Sequence, residues 1–111
     1  MRRRWELGVV LAGAFGIAAV APAPSSPGVE IQLFRFRPAR LEVQPGTQVR
    51  WTNRDDITHT ITGGTPEAPQ AAFRLVLEGR GAVADGTFVE RGTYPYFCER
   101  HHHMRGEIRV Q

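Results

Sequence analysis

The sequence predicts an all-β domain, an antiparallel Greek-key β-sandwich of seven to eight strands. Three observations carry that reading. Apolar and polar residues alternate over short runs, the period of a half-buried strand. Turn-forming residues, 12 Gly and 8 Pro among 111 residues, fall largely between those runs. Past the N-terminal segment no long helical pattern competes with the strands.

The elements follow in order. "VEIQLFRF" (29–36) alternates Val29, Ile31 and Leu33, then changes phase to Phe34 and Phe36, which predicts a bulge or bend inside one strand. "RLEV" (40–43) is a short strand, Pro45-Gly46 a turn, and "TQVRWTN" (47–53) a strand with Val49 and Trp51 on one face. "THTIT" (58–62) is β-branched at alternate positions, and "GGTPEAPQA" after it reads as a loop. "AFRLVLE" (72–78) fits a strand or a short helix. "TFVE" (87–90), "TYPYFC" (93–98) and "GEIRV" (106–110) complete the strands, with Gly92 turning between the first two.

The first 27 residues read differently. A basic start, an apolar run from Leu7 to Ala21 and a Pro/Ala/Ser stretch have the layout of a secretory signal followed by a short linker. The run is shorter than the roughly 20 residues a membrane span needs. Ala19-Val20-Ala21 offers small residues at cleavage spacing, but Pro22 follows, so an uncleaved anchor is the alternative. The expected division is therefore 1–27 signal and linker, 28–111 folded domain, in the periplasm or otherwise exported. Removing the leader takes three Arg and one Glu, and the formal net charge of +3 falls to +1. The basic balance belongs mainly to the leader, and it gives no support to nucleic-acid binding, which needs a basic patch on the domain itself. The single cysteine excludes a disulfide within the monomer. In an oxidising compartment a lone thiol is a liability unless it is buried, reactive or bound to metal.

"FCERHHHMRG" (97–106) concentrates that cysteine with three of the four histidines and one of the two methionines. Tyr94, Tyr96 and Cys98 share a strand face, so Cys98 ends its strand pointing inward at one pole of the sandwich. His101 and Met104 follow at steps of three. His59, at the start of another strand, can meet the same loop because distant strands of a sandwich share a pole. Two imidazoles, a thiolate and a thioether form the donor set of electron-transfer copper, a His₂Cys site with a weak axial Met. Filling every position from the protein leaves no open site for substrate, which argues for a carrier and against an enzyme. The competing readings are plain ones. Cys98 could be an inert buried cysteine, His59 an ordinary half-buried strand residue, and Met104 core filler. His102 and His103 read as a solvated loop, Trp51, Tyr94, Tyr96 and Phe97 as packing residues, and Asp55 and Asp56 as turn residues.

With these residues in place the chain resembles the plastocyanin/amicyanin group of cupredoxins, from about Val29 to Val110. The resemblance rests on "PGTQVRWTN" (45–53), "ITHTI" (57–61), "FVERGTYPYFC" (88–98) and "CERHHHMRG" (98–106), and the C-x-x-H-x-x-M spacing is similar to that of amicyanin. It implies the cupredoxin fold, one type 1 copper ion, and the ligands His59, Cys98, His101 and Met104. It also implies a monomer that exchanges single electrons with redox partner proteins, such as a dehydrogenase or a c-type cytochrome. A membrane would be met only through a retained leader. Five positions depart from the family pattern. Thr60 stands where Asn commonly ties the two ligand loops together, and Glu99 where Ser or Thr follows the cysteine. Arg100 replaces a Pro, bringing a backbone N–H two residues past Cys98 that is expected to reach its sulfur. His102 and His103 make the loop more polar than usual. The second function class is a periplasmic copper chaperone or buffer, which the His-rich loop suits; the third is a metal-free β-sandwich scaffold.

Overall fold

Strands form where the alternation is strongest. In the computed structural model, which describes residues 27–111, these are β1 (Gly28–Gln32), β2 (Arg35–Arg37), β3 (Arg40–Val43), β4 (Thr47–Asn53), β5 (His59–Thr65), β6 (Ala68–Leu77), β7 (Val83–Phe88), β8 (Gly92–Phe97) and β9 (Arg105–Val110). They make a four-stranded sheet, β2-β1-β4-β7, and a five-stranded sheet, β3-β9-β8-β5-β6. The inward positions of both sheets form one core. Ile31, Val49, Trp51 and Phe88 come from the first, and Ile61, Leu77, Tyr94, Tyr96 and Ile108 from the second, all buried. Each such side chain contributes on the order of 1.5–3 kcal/mol by leaving water. The Tyr94 hydroxyl donates to the Glu90 carbonyl at 2.6 Å, the corner that locks a Greek-key crossing. Gly46 takes φ 85° in the turn after Pro45, where the Thr47 N–H reaches the Gln44 carbonyl and only a residue free at positive φ fits the type II geometry.

The sandwich differs from the expected one in three respects. There are nine strands among the described residues rather than seven or eight, because residues 29–36 are two strands and not one bent strand. The phase change falls on a two-residue turn, Leu33-Phe34, with φ of 53° and 58°; β1 and β2 pair antiparallel across it, and Leu33 and Phe34 are exposed while Ile31 and Phe36 are buried. The sheets are mixed rather than wholly antiparallel. β1 runs parallel to β4 and β3 to β9, since each pair is joined through strands of the other sheet and a crossover permits parallel entry. The stretch after Thr62 is also less of a loop than its composition suggests. β5 and β6 continue as a hairpin to Thr65 and Ala68, with a register shift at Thr62/Gly63. Pro69 is accommodated because β6 is an edge strand, where a missing N–H costs no ladder bond. The leader expected over residues 1–27 lies, but for Pro27, outside the described residues.

This topology brings three connections to one pole: the β1–β2 turn, the segment from Asn53 to His59 between β4 and β5, and the segment from Cys98 to Met104 between β8 and β9. Gly28, at the start of β1, lies at the other end, because β1 runs parallel to β4 from Gly28↔Arg50 to Ile31↔Asn53.

Candidate metal centre

Each arm of the site is shaped by its own backbone. Asn53 closes β4 and is fully buried. Its amide donates to the carbonyls of Ile57 (2.8 Å) and Leu77 (3.3 Å), and its oxygen accepts the Asp55 N–H (2.9 Å). The chain is thereby folded back so that β5 starts with His59 pointing inward, with no exposure to solvent. On the other arm β8 delivers Cys98, also fully buried. The loop beyond it closes on itself, the Cys98 N–H reaching the Met104 carbonyl (3.1 Å) and the Met104 N–H the His101 carbonyl (2.9 Å). Met104 is buried, His101 half-buried, and His102 and His103 exposed.

The donor atoms of His59, Cys98 and His101 lie within 4.8 Å of one another, with His59 Nδ1 at 3.7 Å from Cys98 Sγ. His101 Nδ1 is buried and has no hydrogen-bond partner. A buried, unpaired ring nitrogen is costly unless something else binds it, and a metal ion between the three donors would do so. The donor chemistry fits copper: imidazole serves both oxidation states, and thiolate with a nearby thioether favours Cu(I). Burial pushes the His101 imidazole below its ordinary pKa, and the charges of His59, His103 and Arg100 act in the same direction against Asp55. A neutral imidazole is the form that binds metal.

The structure brings these residues together and also shows what the sequence reading missed. Asp55 is not a plain turn residue. It is buried, and its carboxylate accepts the Leu33 N–H (2.8 Å), the Phe34 N–H (3.0 Å) and the Nε2 side of His59 (2.8 Å). Burial pushes its carboxyl up, but the Phe34 N–H, the His59 ring and the Leu33 N–H outweigh this and hold it below its ordinary value. Phe34 sets its ring edge-on against His59 (5.4 Å between centroids) and His101 (4.9 Å). The signal for both was present, an Asp four residues before a candidate ligand and a phase change between two apolar pairs, but neither says which segments meet.

The tie between the arms is rebuilt rather than lost. The Thr60 hydroxyl accepts the Glu99 N–H at 2.9 Å, so a shorter side chain links β5 to the loop after the cysteine. The Glu99 carboxylate is held in turn by Arg74 at 2.6 Å, which keeps it below the usual carboxylate range. The sulfur receives the Thr60 N–H at 3.5 Å. Among the described residues no such bond runs from the Arg100 N–H to Cys98 Sγ, which corrects the expectation for Arg100. Strand β5 already supplies a backbone donor to the sulfur, the Thr60 N–H.

The likeness to known proteins is consistent with this geometry. The profile of copper binding proteins of the plastocyanin/azurin family matches residues 24–111. The chain is 30% identical to amicyanin of Paracoccus denitrificans over 94 residues, 85% of this chain and 72% of that protein. It is 32% identical to plastocyanin of Scenedesmus fuscus over 84 residues, 68% of this chain and 86% of that protein. A variant of amicyanin in its reduced Cu(I) form at pH 4 superposes with a TM-score of 0.68 at 28% identity, over 86% of this chain and 90% of that one. A purple cupredoxin from Nitrosopumilus maritimus does so with a TM-score of 0.69 at 25% identity, over 77% and 99%. The chain therefore belongs to the copper-binding plastocyanin/azurin family, as a cupredoxin close to amicyanin that binds one copper ion.

Proposed function

We propose that the protein is an exported carrier of single electrons, holding its copper on His59, Cys98, His101 and Met104 and passing electrons between redox partner proteins. The observation that carries this reading is the cluster itself: three donor atoms within 4.8 Å, two of them on fully buried residues, with Met104 buried beside them. When bound, copper supplies reversible one-electron exchange between Cu(I) and Cu(II). The chain's own residues supply the rest. Buried His59 and Cys98 exclude water from the site, the Thr60 N–H draws electron density from the sulfur, and half-buried His101 offers the path to a partner's surface. A protein-filled donor set leaves no position for substrate, in keeping with a carrier rather than an enzyme.

Export is supported by the leader-like sequence of residues 1–27. Copper reconstitution of the purified protein tests the reading. An intense visible band with Cu(II) and reversible one-electron reduction are expected. Tight Cu(I) binding without a coloured Cu(II) form would replace the carrier by a copper chaperone or buffer, and failure to bind copper would leave a scaffold domain.

A further inference from the structure

One buried carboxylate gathers donors from two separate parts of the fold. Asp55 Oδ1 accepts the Leu33 N–H, and Oδ2 accepts both the Phe34 N–H and the His59 Nε2–H. Leu33 and Phe34 both stand at positive φ, in a turn geometry that usually selects Asn and Gly. An acceptor lying outside the turn and bonded to both N–H groups offsets that strain. Held so, Phe34 covers the two imidazoles edge-on. The same carboxylate decides the state of the His59 ring. A carboxylate can only accept, so Nε2 carries a proton, and Nδ1 is the ring nitrogen on the side facing Cys98 Sγ.

We infer that Asp55 is a positioning residue for the copper centre, fixing with one carboxylate both the His59 tautomer and the Leu33-Phe34 turn that covers the ligands. The inference rests on the copper reading proposed above. Its consequence is electronic as well as steric. A carboxylate on the outer nitrogen makes the imidazole a stronger donor, and Cu(II), with its higher charge, gains more from that than Cu(I). Removing the negative charge should therefore tilt the balance toward Cu(I). Outer partners of metal ligands alter affinity by roughly 10–100-fold, so a shift of about tenfold in the Cu(II)/Cu(I) balance is expected, or about 59 mV for a one-electron couple.

Two measurements test it. In copper-loaded protein, Asp55→Asn should keep the visible band and raise the reduction potential by about that decade. If Asp55 merely stapled the turn, the variant would lose thermal stability with its potential unmoved, and that result overturns the inference. The second measurement needs no variant. In metal-free wild-type protein, nitrogen-resolved NMR should show His59 with a slowly exchanging Nε2 proton and a bare Nδ1. A proton on Nδ1, or an Nε2 proton exchanging as fast as those of His102 and His103, also overturns it. Because this readout is independent of copper, the wrong tautomer in a protein that binds copper refutes Asp55 alone. The expected tautomer in a protein that takes up no copper refutes the copper reading and, with it, the role of Asp55 toward the metal.

Discussion

The two arms of the site are built on opposite plans. The arm from Asn53 to His59 is stitched by side chains. Asn53 and Asp55 are buried, both accept or donate within the segment, and His59 at its end is sealed from solvent. The arm from Cys98 to Met104 is buried at its ends and open between them, with backbone bonds closing it while Glu99, Arg100, His102 and His103 face solvent. The first arm presents a donor already oriented, at little cost in ordering when metal binds. The second keeps its cysteine and methionine in the core and brings one imidazole to the surface. An electron carrier needs both properties, a coordination shell that changes little between oxidation states and a ligand a partner can approach.

The sharpest break in that comparison comes from the buried end of the open arm. Cys98→Ser should abolish the visible band of the copper protein entirely, because the thiolate is the donor that gives rise to it. Within the same arm, His101→Ala should remove or strongly alter the band while His102→Ala leaves it in place. Optical spectra of the three variants decide this, and the reverse pattern for the two histidines would displace the proposed ligand register by one residue.

A large effect on stability is expected where the open arm returns to the core. Gly106 follows the loop on β9, and a Cβ there would run into the ring and hydroxyl of Tyr96. Tyr96 cannot step aside. It is buried between Phe36 and Trp51, and burial pushes its phenol pKa well up, so it stays neutral. Gly106→Ala should cost about 3 kcal/mol, the upper end of what forced overpacking does, read from urea unfolding of the metal-free protein. A loss near zero would mean that Tyr96 has room the structure does not show.

The link between the arms is worth less. Thr60→Val removes the hydroxyl that accepts the Glu99 N–H and keeps the shape. With its partner gone, a partly buried N–H costs about 1 kcal/mol. Because the valine keeps the backbone N–H that points at Cys98 Sγ, the visible band should persist while the thermal midpoint falls. Loss of the band would show that the hydroxyl, and not the backbone, holds the sulfur in place.

How much of this was legible in the sequence depends on whether a feature is local. Strands β3 and β4 fall where the alternation of "RLEV" and "TQVRWTN" puts them, because period and turn residues are properties of neighbouring positions. The inward face of Tyr94, Tyr96 and Cys98 was legible for the same reason. Partners across the fold were not. Alternation tells which face of β1 is buried but not that β1 runs parallel to β4. The phase change at Leu33-Phe34 announced an interruption; that it is a hairpin turn depends on Asp55, 22 residues from Leu33. Asp55 itself looks like any acidic turn residue until the turn it holds is placed above His59.

Arg100 gives the smallest expected effect and the finest test of the comparison. Its place in the open arm suggested that a backbone N–H absent from proline would tune the copper through the sulfur. The backbone donor to the sulfur comes instead from β5, just past the other arm, whose Thr60 N–H lies 3.5 Å from Cys98 Sγ. The Arg100 side chain is exposed, and its charge acts on His101 from the solvent side, where water weakens it. Proline takes away an N–H that does not bond the sulfur, together with an exposed charge that solvent and salt weaken. Arg100→Pro should therefore leave the visible band in place and the reduction potential close to that of the wild type at moderate salt, as measured by voltammetry of the two proteins side by side. A potential lowered by about 59 mV or more, one decade in the one-electron balance, would mean that the open arm donates to the sulfur after all and that the tuning is shared between both arms.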